Sequence, residues 1–174
     1  KRAKNYLLFL QKEDGHWCSE LESNNTITAE YVFLCQILGI GLKKRHEKLI
    51  KYFFANQKAN GSWGIAYNYP GDISTTAETY LALRILGVEV DSKQMKRSEQ
   101  YIRSQGGLEN VRIFTRIHFS MFGLFPWDAV PIIPPEFILL PKTSPINIYR
   151  LASWTRSCMV PLFIIFHHKP IFAL

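Results

Sequence analysis

Apolar residues in this chain fall into helical runs separated by polar turns that contain glycine. Tyr6-Leu7-Leu8-Phe9-Leu10 precedes one such turn and Tyr52-Phe53-Phe54 precedes another. Between Ala77 and Leu86 the apolar positions Ala77, Tyr80, Leu81, Ala82, Leu83, Ile85 and Leu86 cover a broad arc. Such an arc predicts a helix buried on more than one side. Gly39 and Gly87 follow Leu38 and Leu86, where a helix C-terminal glycine belongs. Thr75 with Glu78 has the spacing of a capping box, and Asp91 is placed to cap a helix running to about Ser104.

The turns repeat. Gln11-Lys12-Glu13-Asp14-Gly15-His16-Trp17 recurs, 46 residues later, as Gln57-Lys58-Ala59-Asn60-Gly61-Ser62-Trp63. Thr28-Ala29-Glu30 recurs as Thr76-Ala77-Glu78, and Ile37-Leu38-Gly39-Ile40 as Ile85-Leu86-Gly87-Val88. A repeat of this period predicts stacked helical hairpins, in an open solenoid or a closed ring. The units read as 1–56, 57–104 and a degenerate third at 105–123, which opens on Gln105-Gly106-Gly107 without the Trp. Its second helix is expected from Val111 to Phe122. A proline-rich stretch at 124–145 follows, with a helix start at Pro134-Pro135-Glu136. A last helical segment, 146–168, runs through Trp154 and is kinked or broken at Pro161.

In the repeated turn, glycine permits positive φ, Gln offers donors to a helix end, and Trp buries a large ring. Gln11, Gly15, Trp17, Gln57, Gly61 and Trp63 are therefore read as clamps between helices, with no chemistry of their own. Glu30 and Glu78, at matching places in two repeats, are read as charges complementing helix N-termini.

Composition narrows the class. Of 174 residues, 47% are hydrophobic and 14% aromatic, with 12 Phe, 8 Tyr and 4 Trp, which excludes a disordered chain. The formal charge is +7, with a cluster at Lys43, Lys44, Arg45, Lys48 and Lys51 read as a solvated helix face. After Glu136 there is no acid, while Lys142, Arg150, Arg156 and Lys169 remain, a balance that suits an anionic membrane surface. No regular aromatic and basic interleaving marks a nucleic-acid binder, so none is expected. Cys18, Cys35 and Cys158 form no paired framework and are read as free thiols. Neither they nor His167-His168 make a metal site, and no cofactor is expected. No apolar run reaches spanning length: Cys158 to Phe166 is about half of it and contains Pro161. No signal peptide is evident, and the apolar finish at Leu174 suggests a fragment of a longer chain.

The two Gln-x-x-x-Gly-x-Trp strings resemble the repeat motifs of squalene–hopene cyclases, in the triterpene cyclase superfamily. The likeness continues in order through Ser104-Gln105-Gly106-Gly107, Phe114-Thr115-Arg116, Pro126-Trp127-x-x-Val130-Pro131, Pro134-Pro135-Glu136, Ile146-Asn147-Ile148-Tyr149, Ser153-Trp154-x-Arg156 and Pro170-Ile171-Phe172. The resemblance implies an all-α fold, part of an α/α barrel (toroid) of helical hairpins, at the N-terminal end of such an enzyme. It implies a parent isomerase that cyclises squalene or a similar polyprenyl hydrocarbon through carbocations. The family's initiating Asp-x-Asp-Asp motif is absent, since Asp14, Asp72, Asp91 and Asp128 stand alone; no catalytic residue is therefore assigned here. By the resemblance Trp154 lines the substrate cavity, while Leu151 and Met159 lie near the channel mouth. Leu151 is expected on the helical face of Trp154. The resemblance also implies a monotopic protein on the cytoplasmic side of a bacterial membrane, with a homodimer as a further expectation. A related sesquarterpene or other terpene cyclase, and a non-enzymatic helical repeat scaffold or binding module, are the alternatives.

Overall fold

In a computed structural model, residues 1–18, 23–131 and 133–174 are described. Among them are seven α-helices: α1 (Arg2–Leu10), α2 (Asn25–Ile37), α3 (His46–Ala55), α4 (Ile73–Ile85), α5 (Lys93–Ser104), α6 (Ile113–Met121) and α7 (Ser153–His168). The strands are two-residue segments, β1 (Trp63–Gly64) and β2 (Gly71–Asp72), paired antiparallel with Trp63 opposite Asp72. The fold is all-α, as the periodicity predicts.

Helix α4 is the centre. It packs against α2, α3, α5 and α6, and nine of its residues are buried. Its apolar side chains Ala77, Leu81, Ala82 and Leu83 meet Ala29, Val32 and Phe33 of α2, with Phe53, Trp63, Met95 and Phe119 completing one core. Near its N-terminus α4 is instead lined by small polar residues. Ser74, Thr75, Thr76 and Thr79 are all buried, and each hydroxyl has a partner. Burial there is tolerable because those hydrogen bonds offset the lost water.

The helix stops share one design. After α2, Ile40 N–H donates to the carbonyl of Cys35 and Gly39 N–H to that of Gln36. After α4, Val88 and Gly87 do the same to Leu83 and Arg84; after α6, Leu124 and Gly123 do so to Phe119 and Ser120. Each glycine has positive φ, 64°, 77° and 68° respectively, the Schellman arrangement.

The starts differ from the expectations. The N-cap of α4 is Asp72, whose carboxylate accepts from Thr75 N–H at 2.7 Å; Thr75 is therefore inside the helix and makes no capping box with Glu78. The N-cap of α5 is Ser92, not Asp91, which pairs with Lys96 instead. A carboxylate cap on α4 is stronger than a hydroxyl because it also meets the helix dipole.

The proline-rich stretch is less helical than Pro134-Pro135-Glu136 suggests. Among its described residues it forms 3₁₀ turns at Trp127–Ala129 and Pro135–Leu139 and no α-helix. The last segment is also corrected. Ile148–Arg150 is a separate 3₁₀ turn, Leu151 is extended, and α7 begins at Ser153 rather than near Ile146. Asn147 causes the separation. It is 2% exposed, accepts from Tyr149 and Arg150 N–H, and donates to the carbonyls of Lys142 and Ser144. A side chain holding four backbone groups fixes a turn that a helix would undo. Helix α7 continues unbroken through Pro161, which is exposed, so water can reach the backbone group that proline leaves unpaired. Phe163 and Phe166 of α7 are buried, and Phe166 joins Ile117, Trp127 and Val130 in a second core, while Ile164 is 59% exposed. The run Met159–Phe166 is thus core on one side only.

After α7 the chain turns back at Lys169, φ 43°. Phe172 N–H then donates to the carbonyl of Met121, and Gln36 Nε2 to that of Ala173. The C-terminal segment is so tied to α6 and α2.

Candidate functional site

Two features stand out where the hairpins meet: the paired turns and a polar cluster across α2, α4 and α6. In the second turn Gly61 has φ 86°, and a Cβ there would lie 2.5 Å from the carbonyl carbon of Arg97 in α5. Only glycine allows both the conformation and that approach. Gln57 Nε2 donates to the carbonyls of Gly61 and Gln94 and to Ser98 Oγ, joining its own turn to the start of α5. Trp63 is 1% exposed, and its Nε1 donates to the carbonyl of Phe53, in the last turn of α3. The indole thus adds a second bond to a carbonyl at the helix end, one that also accepts from Asn56 N–H. The first turn repeats the internal bonds: Gln11 Nε2 donates to the Gly15 carbonyl and Trp17 Nε1 to Leu7. Gly15 has φ 90°, yet Trp17 is 52% exposed and α1 has no buried residue.

Glu30 and Glu78 do not complement helix N-termini. Each is the sixth residue of its helix, beyond the first turn, where the dipole no longer acts. They face one another across the α2–α4 contact, with His118 of α6 against both. His118 Nδ1 lies 3.8 Å from Oε1 of Glu30 and 3.8 Å from Oε1 of Glu78. Thr115, one turn earlier on α6, donates its hydroxyl to Oε1 of Glu78. The other Glu78 oxygen and His118 Nδ1 are buried without a hydrogen-bond partner. Burial raises the Glu30 carboxyl above its ordinary value of 4.5; His118 opposes this, Glu78 adds to it, and Arg112 opposes it. Arg112 itself, just before α6, lies 3.5 Å from Asp72 and 3.4 Å from Thr75 Oγ1. The Phe33 ring, 5.7 Å from that of His118, is the apolar wall of the cluster. The repeat offset exposed the two acids in the sequence, but nothing there linked them to His118, because that contact spans three hairpins.

Trp154 lies in the first turn of α7 and is 78% exposed, unlike Trp63 and Trp127, which are buried. Leu151 is half-buried but precedes α7 in extended backbone, so it shares no helical face with Trp154. Met159 is half-buried within α7. Arg156 of the same motif donates to the Tyr149 carbonyl, fixing the approach to α7. Among the described residues, no hydrogen bond or ring contact joins Trp154 to the Glu30–Glu78–His118 cluster. His167 and His168 stand edge to face, ring centres 4.9 Å apart, on the exposed end of α7. Cys18, Cys35 and Cys158 are free.

The squalene-hopene cyclase N-terminal domain, as a family, matches this chain over residues 1–174. The chain belongs to that family. It is 53% identical over 165 residues to a squalene hopane cyclase of Aspergillus fumigatus, covering 91% of this chain and 22% of that protein. It is 42% identical over 173 residues to a squalene–hopene cyclase of Alicyclobacillus acidocaldarius, covering 99% of this chain and 27% of the relative. An enfumafungin synthase of Hormonema carpetanum is 43% identical over the whole chain, which spans 13% of it. The chain thus spans about a quarter or less of the length of these curated relatives. Fungal as well as bacterial proteins are among them, so family membership does not restrict the source to bacteria. Among the described residues, no helix is long and apolar enough to cross a membrane.

Proposed function

We propose that this chain is the N-terminal segment of an enzyme that cyclises squalene or a similar polyprenyl hydrocarbon. In such a reaction a proton adds to a terminal alkene, the cation passes through successive ring closures, and a proton is lost or water is captured at the end. Atoms balance without oxidant or cofactor. The acid that starts it is not among the isolated aspartates of this segment, so the segment supplies scaffold and cavity wall. The units 1–56, 57–104 and 105–123 are its repeats, the last degenerate, and the Gln-Gly-Trp turns are structural, as their bonding to helix ends supports.

The observation that carries this reading is the placement of Trp154. A core tryptophan is usually buried, whereas this one presents most of its ring outward from a fixed helix start. An indole face attracts a passing carbocation without capturing it. Leu151 and Met159 extend the same wall in this proposal. The acid-free C-terminal section, with Arg150, Arg156 and Lys169, supports contact with an anionic membrane surface from which an insoluble hydrocarbon is drawn.

Replacing Trp154 in the full-length enzyme tests the reading. Trp154→Ala is expected to lower product yield at least tenfold or to release partly cyclised products, with thermal unfolding unchanged. Trp154→Phe keeps most activity. Gas chromatography of the hydrocarbon products reads the outcome, and a wild-type yield and pattern in Trp154→Ala would overturn the assignment. A related triterpene cyclase with another product is the second reading, favoured by the similarity to enfumafungin synthase; the same chromatogram of the wild-type enzyme separates the two.

A further inference from the structure

We propose that Asn147 and Arg156 are positioning residues for Trp154, setting where its indole stands during cyclisation. The proposal rests on the reading of Trp154 as cavity wall. The indole is 78% exposed, and among the described residues no hydrogen bond or ring contact restrains it. Its placement therefore comes from the backbone that carries it. That backbone lacks the usual fastening. The N-cap of α7 is Ala152, which offers no side-chain hydrogen bond. The first N–H groups of a helix have no intrahelical partner, so an uncapped start frays. A frayed start would let an indole in the first turn wander. Displacing a group at the reacting centre by about 1 Å can cost on the order of a hundredfold in rate.

Two side chains take the place of the missing cap. Arg156, on the same first turns of α7 as Trp154, is half-buried and sends Nη1 back to the Tyr149 carbonyl at 3.3 Å. Tyr149 belongs to the 3₁₀ turn that Asn147 builds. Asn147 Oδ1 accepts from Tyr149 N–H at 3.0 Å and from Arg150 N–H at 3.2 Å. Its Nδ2 donates to the carbonyls of Ser144 at 2.7 Å and Lys142 at 3.2 Å. Both donors and both acceptor positions of this carboxamide, 2% exposed, are thus used on backbone. Tyr149 is held on both sides, its N–H by Asn147 and its carbonyl by Arg156, so one bonded path runs from the loop to α7. Ile148, 7% exposed, seats the turn in the protein. Farther along α7, Phe163 and Phe166 are buried and fix the helix against its neighbours. Trp154 stands between these two anchorages, as a functional side chain on a supported element should.

The test uses the full-length enzyme and reads the ratio of partly to fully cyclised hydrocarbon, together with kcat and KM per folded protein. Lost stability alone lowers the amount of folded enzyme and leaves that ratio unchanged. Asn147→Ala and Arg156→Ala are each expected to raise the ratio at least fivefold and to lower kcat at least fivefold, with KM within twofold of wild type. In a Trp154→Ala background neither should change the ratio further, because the side chain they position is gone. Arg156→Ala removes a single half-buried hydrogen bond, so it keeps the proposal testable if Asn147→Ala does not fold. A wild-type ratio in either folded variant overturns the role of that residue, and shifts that add to the shift of Trp154→Ala overturn action through Trp154. If Trp154→Ala alters the products and the other two variants do not, the positioning role alone fails. If Trp154→Ala is itself wild type, the cavity reading fails and the positioning role falls with it.

Discussion

Trp17 and Trp63 make the same hydrogen bond, each indole donating to a carbonyl ten residues earlier, yet they sit in opposite environments. Trp63 is sealed by α5 and the α4 N-terminus, where its own N–H donates to Thr76 Oγ1. Replacing the indole by a smaller ring therefore removes one of the two bonds to the Phe53 carbonyl and opens a void in the core. Trp63→Phe is expected to cost about 2 kcal/mol or more, from the lost hydrogen bond and the smaller ring together. Trp17→Phe, in the same chain, should cost under about 0.5 kcal/mol, since water replaces the bond at an exposed site. The glycines divide in the same way. A Cβ on Gly87 meets nothing within 4 Å, so Gly87→Ala adds only the strain of its positive φ, about 1 kcal/mol. Gly61→Ala adds that strain and a collision with the Arg97 backbone, and is expected to destabilise by clearly more. Urea unfolding of the four variants gives the order directly; equal costs for Gly61→Ala and Gly87→Ala would show that α5 yields readily.

At the scale of elements, α4 depends on its first turn. Asp72 caps it through Thr75 N–H, takes the Thr75 hydroxyl at 2.8 Å and lies beside Arg112 of the next hairpin. Asp72→Ala is expected to cost about 1–2 kcal/mol, the upper part of the usual range for a lost cap, because α4 contributes to every neighbouring interface. Asn24→Ala, which removes the corresponding cap of α2, should cost less, since α2 has fewer packed neighbours; chemical denaturation compares them. These caps also show what the sequence could reveal. Helix stops were legible, because Gly39 and Gly87 have one physical use after an apolar run. Starts were not, because Asp72, Thr75, Asp91 and Ser92 all have capping chemistry, and only backbone geometry chooses among them. The acids at positions six of α2 and α4 were visible as a repeat, but their meaning was not. One-dimensional spacing placed them near helix starts, whereas hairpin stacking points them at each other and at His118. The break before α7 was equally hidden, since it rests on the side chain of Asn147 meeting four backbone groups.

Over the whole molecule, stability falls away from α4 toward the first hairpin. Helix α1 has no buried residue, and Tyr6, Leu7, Leu8 and Phe9 are each more than half exposed. A nine-residue helix with no packed face is marginal in water. Helix α4, in contrast, is buried along most of its length and bordered on several sides. Native-state hydrogen exchange on residues 1–174 alone should therefore show α4 amides among the most protected and α1 amides near the unprotected limit. The chain spans about a quarter or less of its relatives' length, and the α1 turn repeats the bonding of a turn that α5 seals over. In a protein of the relatives' full length, α1 and the Trp17 turn are expected to gain protection by an order of magnitude or more, while α4 changes little. If α1 exchanges as fast in the long protein as in residues 1–174, the first Gln-Gly-Trp turn is not a clamp in the sense that the second is. The structural reading would then hold for Gln57, Gly61 and Trp63 alone.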